Sequence, residues 1–376
     1  MGAIPIEYTH IKGGVEAAII NLIEGFSKQK NIEIMLVSFS KEIKEYRMIN
    51  FSEHIKFHFI PFIYPKSELL DFFFNKYKLN KIINEFKPDI IHIQGAAPHL
   101  LRFVFFDKQN VIVTQHGIMA VEYKHVIGLK NRLKFLFKTV IEKFYFPRFK
   151  NIIFISDYNK KLFPRKPQNE VIIQNPVNAI FLNTKPRSDL NNSIAYVAKI
   201  SKLKNIKILI EALNILKAKS IIFNVHVVGD FVEKKYKTHV MALISKYDLS
   251  KQIKFYGWLN QSQLKPVLFE CTYFVLPSKQ ENVPVSIAES MAMGKVVIAS
   301  DVGGISEMFQ DGVSGLLIDP GNPKLLADKL EYLYANKTKA QEISSNAALE
   351  ASEKFNSKLI AKKTLDFYNK VLQSNS

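Results

Sequence analysis

The chain has 376 residues, of which 47% are apolar and 23% charged, a composition that excludes a disordered or fibrous protein and predicts about two folded domains. Its single cysteine, Cys271, excludes an intramolecular disulfide framework and a cysteine-rich zinc site. The excess of 52 Lys and Arg over 34 Asp and Glu gives a net charge of +18, which is either a functional patch for phosphate-bearing partners or a generic basic surface.

In the first half, short apolar runs alternate with amphipathic stretches from about Gly14 onward. The runs are rich in Ile and Val and predict buried strands at 32–39, 90–93, 111–114 and 152–156. The amphipathic stretches predict helices at 16–29, 69–86 and 131–146. The segment before the first helix, 2–10, is only weakly strand-like.

The second half repeats this alternation. It predicts strands at 193–197, 221–228, 253–256, 273–276 and 296–300, and helices at 204–217, 236–247, 261–269 and 284–293. Alternating strands and helices in both halves predict an α/β fold of two domains, each with a parallel sheet covered by helices. The polar segment 181–192 separates the two series as a linker does.

The segment 276–320 has the densest set of candidate ligand groups. A predicted strand ends at Leu276, a polar loop with Glu281 follows, and a helix begins near Pro284. The first turn of such a helix presents free backbone N–H groups and the positive end of the helix dipole, which bind anions. Glu281 and Glu289 are therefore candidate ligand-binding carboxylates. The alternative is that Glu281 caps the helix while Glu289 faces solvent.

Two lysines follow the first strand of the second half. Lys199 comes directly after this strand and Lys204 begins the next helix, so their ammonium groups are suited to hold a diphosphate. A solvated lysine-rich face explains the pair equally well. In the first half, Gly13 and Gly14 precede a helix and either let the backbone approach a ligand or form a simple turn.

A histidine marks the expected ligand-binding edge of the first domain. His116 follows the strand 111–114, and ligands of such folds bind beyond the carboxyl ends of the strands. A lone histidine is also often a hydrogen-bonded structural residue. The histidines lack the spacing of metal ligands, so the sequence predicts no metal site.

The segment 130–150 alternates basic residues with Phe, Leu and Tyr. It predicts a basic amphipathic helix that lies on an anionic membrane, or alternatively a core helix with a solvated basic back. The chain contains no apolar run of the ~18 residues that span a bilayer, and its start lacks the features of a secretory signal. We therefore expect a cytoplasmic protein, with peripheral contact at the inner face of the membrane.

Together these segments resemble the retaining GT-B glycosyltransferases of glycosyltransferase family 4, also described as glycosyl transferases group 1. The stretch PSKQENVPVSIAESMAMGKVVIASDVGGISEMFQDGVSGLLIDP is similar to the family's E-x7-E region, with Glu281 and Glu289 at the acidic positions. YVAKISKLKN is similar to G-R-L-x-x-x-K-G, with Lys199 in place of arginine, Lys204 retained, and Ala198 and Asn205 in place of the glycines. GGVE, PDIIHIQ, VTQHG, IIFIS and NPVN follow the family's order in the first half, where the weak opening strand is the main departure.

The resemblance implies two Rossmann-like domains facing each other across a cleft. It assigns 1–182 to the acceptor-side domain and 193–355 to the nucleotide-sugar domain, with a last helix at 356–376 packed on the N-terminal domain. It also implies a hexosyltransferase that moves a hexose or hexosamine from a UDP- or GDP-linked sugar to a glycan or lipid-linked acceptor in surface polysaccharide biosynthesis. Neither a metal nor a cofactor is implied.

The same resemblance implies roles for individual residues. Lys199 and Lys204 would hold the diphosphate, Glu289 the ribose hydroxyls and Glu281 the sugar hydroxyls. Backbone groups would cradle the phosphate in the turn of Val283, Pro284 and Val285. The transferred sugar would be reached by His116 and by the Gly13–Gly14 turn. The base would lie near Gly229 and Trp258.

Two alternatives remain at this point. A nucleotide-sugar epimerase or a phosphorylase has the same two-domain plan. A non-catalytic protein that binds membranes or nucleic acid through its positive charge belongs to a different class. The chain has no DNA-reading motif, so we do not expect a nucleic-acid partner.

Overall fold

A computed structural model describes residues 4, 11, 13–40, 43–61, 76–95, 110–117, 129–182, 184 and 189–375. The predicted weak strand at 2–10 lies outside these ranges, apart from Ile4, and so does the first part of the predicted helix 69–86. The chain forms two compact units. The N-terminal unit comprises Met1–Gln174 and Lys358–Ser376, and the C-terminal unit comprises Asn175–Ser357.

The strands, in chain order, are β1 (Ile34–Ser40), β2 (Arg47–Ser52), β3 (Ile55–Pro61), β4 (Ile90–Gln94), β5 (Asn110–Gln115), β6 (Asn151–Phe154), β7 (Asn169–Ile172), β8 (Ser193–Val197), β9 (Asn224–Val228), β10 (Ile253–Gly257), β11 (Tyr273–Leu276), β12 (Val296–Ser300) and β13 (Leu316–Ile318). The described helices are α1 (Gly14–Phe26), α2 (Lys76–Phe86), α3 (Leu129–Tyr145), α4 (Asp157–Lys161), α5 (Ala179–Leu182), α6 (Ile206–Ala218), α7 (Lys234–Lys246), α8 (Gln261–Glu270), α9 (Val285–Ala292), α10 (Pro323–Ala335), α11 (Lys337–Lys354) and α12 (Ser357–Asn375).

The N-terminal unit contains a three-stranded and a four-stranded sheet among its described residues. The four-stranded sheet, β4-β5-β6-β7, is parallel throughout, as predicted. Its register pairs Gln94 with Thr114, so the carboxyl ends of β4 and β5 meet at one edge. In the other sheet, β3 pairs parallel with β1 but antiparallel with β2. A prediction of parallel strands alone is therefore wrong here, because only two residues connect β2 to β3 and so short a turn joins antiparallel neighbours.

The C-terminal helix belongs to the core of the N-terminal unit. Ile360, Phe367 and Val371 of α12 share an apolar cluster with Phe57 and Ile112, which lie on β3 and β5. Burial of these side chains away from water is the main force that holds the helix there. The core of this unit is therefore built from both ends of the chain.

The C-terminal unit is built on one six-stranded parallel sheet of order β10-β9-β8-β11-β12-β13. The central strands consist of continuous apolar runs, as expected for strands covered on both faces. β11 and β12 are buried along their whole length. All the carboxyl ends of these strands lie at one edge, which is where the predicted ligand groups begin.

The boundary between the units precedes the polar segment 181–192. The backbone N–H of Val177 donates to the oxygen of Phe355 at 2.8 Å, and Phe181 is fully buried. These contacts hold residues 175–182 in the C-terminal unit, whereas the sequence assigns them to the N-terminal domain. The predicted and observed boundaries differ because a polar segment shows where the chain runs over the surface. It does not show where the backbone begins to form hydrogen bonds with the next unit. Across the described ranges, no helix is both long and apolar enough to cross a membrane.

Candidate active site

Lys204 and Glu281 meet at the carboxyl edge of the C-terminal sheet. Lys204 Nζ lies 2.5 Å from Glu281 Oε1, and the hydroxyl of Ser278 donates to the same oxygen at 2.7 Å. Glu281 is only 8% exposed, so this ion pair is shielded more than a surface pair. The alternative in which Glu281 caps the next helix is wrong, because Pro284 precedes that helix and no side chain of the described residues caps it.

The two loops that carry this pair are tied together by their backbones. The N–H of Lys279 donates to the oxygen of Leu203 at 2.8 Å. Asn205 then adopts a left-handed conformation with φ of 56° before α6, and its side-chain amide donates to the oxygen of Pro320 at 3.0 Å. Asparagine tolerates this conformation better than most residues, which explains how it replaces the glycine of the family pattern.

Gly303 is required by the close approach of two loops. Its φ is +62°, and a Cβ at this position would overlap the backbone oxygen of Glu281. The next residue, Gly304, donates its N–H to the oxygen of Asn282 at 3.0 Å. The glycine-rich loop after β12 therefore packs directly against the backbone that positions Glu281.

The helix α9 begins next to this loop. Pro284 precedes its first residue and provides no side-chain cap, so the first-turn N–H groups are not satisfied in this way. Val283 and Val285 are buried on either side of Pro284, and Asn175 donates its amide to the oxygen of Val283 at 3.3 Å. The turn has the form predicted for an anion site at a helix N-terminus.

Glu289 is a buried carboxylate on α9. It is 5% exposed and accepts a hydrogen bond from Gln261 Nε2 at 3.1 Å. Burial raises the pKa of Glu289 to about 7, and the bond from Gln261 offsets part of this effect. The alternative in which Glu289 faces solvent is therefore wrong.

Lys199, Gly229 and Trp258 lie at neighbouring strand ends of the same sheet. Gly229 has a φ of +130°, and a Cβ there would overlap the backbone oxygen of Ala198 and lie 3.5 Å from the amide nitrogen of Lys199. Gly229 donates its N–H to the oxygen of Gly257, next to Trp258, at 2.7 Å. The Lys199 side chain is exposed at this edge. The roles of these residues toward a ligand stay predictions.

His116 and Gly13 have local partners in the N-terminal unit. His116 is 8% exposed and its Nε2 lies 2.8 Å from Gln94 Oε1, which is the kind of contact that a structural histidine also makes. Gly13 is the extended residue before α1, which begins at Gly14, and a Cβ on Gly13 would overlap the carboxylate of Glu16. Contact of these residues with a transferred sugar stays a prediction.

Gln261, Gln94 and Tyr368 were not found from the sequence, which singles out His92 only as a histidine at a strand end. Gln261 contacts Glu289, Gln94 contacts His116, and Tyr368 contacts His92. The sequence of β4 does contain a sign of the contact between His92 and Gln94. These two polar residues are two positions apart in a strand, so their side chains point to the same side of the sheet. Among the residues that the structure describes, no group of three or more His, Cys, Asp or Glu is placed to hold a metal ion.

Two family models match the chain in succession. Residues 12–179 match the model described as Glycosyltransferase Family 4, and residues 182–350 match the model described as Glycosyl transferases group 1. Each matched half contains an all-parallel sheet. The chain is a glycosyltransferase with the GT-B fold.

Particular relatives agree with this class. An uncharacterized glycosyltransferase of Methanocaldococcus jannaschii is 29% identical over 356 residues, which cover 93% of this chain and 92% of that protein. The amylovoran biosynthesis glycosyltransferase AmsK of Erwinia amylovora is 31% identical over 183 residues, or 46% of this chain and 44% of AmsK. The crystal structure of HepE from Anabaena in complex with UDP-glucose superposes with a TM-score of 0.72 at 20% identity and covers 97% of both chains. The predicted GT-B fold is confirmed.

Proposed function

We propose that this glycosyltransferase is a retaining, metal-independent hexosyltransferase. It transfers a hexose or hexosamine from a UDP- or GDP-linked sugar to a glycan or lipid-linked acceptor in surface polysaccharide biosynthesis. The observation that carries the proposal is the direct contact of Lys204 with Glu281 beside the start of α9. Two relatives support its finer parts, since HepE was crystallised with UDP-glucose and AmsK is named for polysaccharide synthesis.

The reaction requires stabilisation of a departing diphosphate. The bond from the anomeric carbon to the phosphate oxygen breaks, the acceptor oxygen bonds to the same face of that carbon, and the acceptor proton passes to the departing phosphate. Negative charge develops on the leaving group, and positioned cations and helix N–H groups stabilise it. Lys199, Lys204 and the first turn of α9 supply these groups in the proposal.

The ion pair leaves Lys204 able to bind a phosphate. An ammonium group has three N–H donors, and Glu281 Oε1 occupies one of them. Ser278 donates to the same oxygen, so the Glu281 carboxylate is held from two directions. In the proposal, the second carboxylate oxygen of Glu281 accepts a hydrogen bond from a sugar hydroxyl, as the family resemblance implies.

Glu289 suits the ribose of the donor. A carboxylate has about four acceptor positions, and Gln261 uses one of them in this structure. Ribose presents two adjacent hydroxyl donors that would replace some of the water lost on burial. Binding of a nucleotide would then favour the ionised form, which burial alone disfavours.

The test is turnover of defined donors. Purified protein is incubated with a panel of UDP- and GDP-sugars, with and without glycan acceptors, and release of nucleoside diphosphate is measured. The proposal expects slow release without acceptor, faster release with it, an unchanged rate in EDTA, and a product with the anomeric configuration of the donor by NMR. Inverted product would contradict retention. Sugar isomerised without any acceptor would indicate an epimerase instead.

We also propose that α3 contacts an anionic membrane surface at the cytoplasmic face. Five apolar side chains at helical spacing form one stripe and are between 44% and 59% exposed, namely Leu133, Leu136, Phe137, Val140 and Phe144. By contrast, Thr139 and Glu142 of the same helix are buried.

Lys143 is exposed on the same helix next to this stripe, and the guanidinium carbon of Arg148 lies 3.9 Å from the centre of the Phe144 ring. Apolar side chains flanked by lysines fit the interface of an anionic bilayer. The stripe therefore favours the membrane interpretation over a core helix, and it would bring the enzyme to a lipid-linked acceptor.

A further inference from the structure

A series of side-chain contacts joins His116 to the C-terminal helix. His116 Nε2 lies 2.8 Å from Gln94 Oε1, and Gln94 Nε2 lies 3.3 and 3.4 Å from the ring nitrogens of His92. His92 Nδ1 lies 2.6 Å from the hydroxyl of Tyr368, and His92 Nε2 lies 2.7 Å from Thr114 Oγ1. All five residues belong to the N-terminal unit.

The interior of this network is neutral. Burial and, to a smaller extent, the nearby His116 lower the pKa of His92 to about 3, so His92 carries one N–H and one lone pair at neutral pH. Burial also raises the pKa of the Tyr368 hydroxyl, which therefore keeps its proton. Each contact then depends on which atom donates and which accepts.

The direction of the Gln94 amide decides the tautomer of His116. The amide oxygen only accepts, so His116 Nε2 must carry a proton in the observed contact. A rotated amide would present its N–H to His116 and would require the other tautomer. The same rotation would turn the electron-rich amide oxygen toward the ring of His92. Both ring nitrogens already have a hydroxyl partner, and Gln94 Nε2 is almost equidistant from them at 3.3 and 3.4 Å, so the amide N–H faces the electron-rich ring and not a free lone pair. The ring of His92 therefore favours the observed direction of the amide.

We propose that Tyr368, His92 and Gln94 are positioning residues that fix the tautomer and orientation of His116. Tyr368 and Thr114 hold the two ring nitrogens of His92, His92 holds the amide of Gln94, and Gln94 holds His116. The inference rests on the proposed function only where it assigns His116 to the transferred sugar. The network itself is a property of the N-terminal unit.

The experiment compares the full-length wild type with Tyr368→Phe. The phenylalanine keeps the ring contacts with Phe26 and His92, whose centroids lie 6.2 and 5.6 Å away, and removes only the hydroxyl. Long-range 1H–15N spectra of histidine-labelled protein show which ring nitrogen of His116 is protonated. We expect the Nε2–H form in the wild type and a mixture of tautomers in the variant, with kcat lowered about tenfold and the donor KM within about twofold.

A matched control exists in the same unit. The hydroxyl of Tyr46 lies 2.5 Å from His58 Nδ1, and the two rings are 5.7 Å apart, but this pair has no described contact with His116. Tyr46→Phe should leave the His116 signals and kcat unchanged. Thr114→Val removes the other hydroxyl partner of His92 and should give the same His116 spectrum as Tyr368→Phe. If Tyr368→Phe does not fold, Thr114→Val alone tests whether the partners of His92 fix the tautomer of His116.

Unchanged His116 signals in Tyr368→Phe and Thr114→Val would overturn the proposal, even if the rate fell, because the tyrosine would then act only through stability. Changed signals with an unchanged kcat would also overturn it. If the wild type turns over no nucleotide sugar, the proposed function fails, while the spectra still decide whether the network controls His116.

Discussion

The two candidate sites, one in each unit, are built in opposite ways. In the C-terminal unit, charged groups are in direct contact, and the backbone link from Lys279 to Leu203 holds the Lys204 and Glu281 loops together. In the N-terminal unit, His116 is held by neutral side chains whose donors and acceptors must match. Under the proposed function, the first arrangement suits a departing diphosphate and the second suits an uncharged sugar.

Lys204→Ala is the strongest test of the charged site. It removes a phosphate ligand and leaves the buried Glu281 carboxylate without its cation, so we expect kcat/KM to fall about 1,000-fold, or ~4 kcal/mol of transition-state stabilisation. Steady-state kinetics with the preferred donor measure the effect. Lys207→Ala is the control, because Lys207 pairs with Glu211 one helical turn away on the surface. A loss below tenfold would remove Lys204 from its assigned role.

Gly303→Ala tests the loop that supports Glu281. The new Cβ combines an unfavourable φ of +62° with overlap of the Glu281 backbone, so we expect unfolding to become easier by ~3 kcal/mol and donor affinity to drop. Gly312→Ala separates the cost of the unfavourable φ from the cost of the overlap. Gly312 has a φ of +75°, but a Cβ there would have no neighbour within 4 Å. Urea unfolding should show a cost of only ~1 kcal/mol for Gly312→Ala. Equal costs would mean that the close approach contributes nothing.

Glu289→Gln tests the buried carboxylate through pH. The pKa of Glu289 is about 7 in the folded protein and 4.5 in its ordinary state, so its contribution to stability is complete below pH 4.5 and is lost as pH rises through 7. We expect the free energy of unfolding of the wild type to fall by up to ~3 kcal/mol across this window relative to Glu289→Gln. Thermal unfolding of both proteins from pH 4.5 to 8 measures it, and parallel curves would contradict the assignment.

The smallest effect is expected at the proposed membrane surface. Phe137→Ser removes one exposed apolar side chain of α3 and should weaken binding to phosphatidylglycerol vesicles about fivefold, or ~1 kcal/mol. Leu349→Ser is the control, because Leu349 of α11 is 60% exposed and lies outside the stripe. Vesicle sedimentation measures both variants. Equal binding to phosphatidylcholine vesicles would show that anionic lipid is not recognised.

Much of the C-terminal unit was predictable because its central strands are continuous apolar runs. β8, β11 and β12 have the bounds predicted from the sequence. The strands β2 and β3 were missed because they are not continuous Ile- and Val-rich runs; in β3, Ile55, Phe57 and Phe59 alternate with Lys56 and His58. The strands β7 and β13 were missed because they span only four and three residues. Short or interrupted strands form through their neighbours in the sheet, and periodicity along one segment does not contain that information.

The candidate site, like the fold, was predictable from the sequence only in part. The position of Lys204 and Glu281 at strand ends follows from alternation and from the resemblance to a known family. The contact of Tyr368 with His92 joins residues 276 positions apart and depends on where α12 packs. No local pattern contains such a contact, so only the folded structure reveals it.

The return of α12 to the N-terminal unit has a consequence for biosynthesis. Residues 175–357 are contiguous and can fold as soon as they leave the ribosome, whereas the first unit waits for Ile360, Phe367 and Val371. Its apolar cluster stays incomplete until α12 has been synthesised. In the nascent chain, the apolar side chains of the N-terminal unit would therefore stay uncovered longest. We expect chaperones to bind there first.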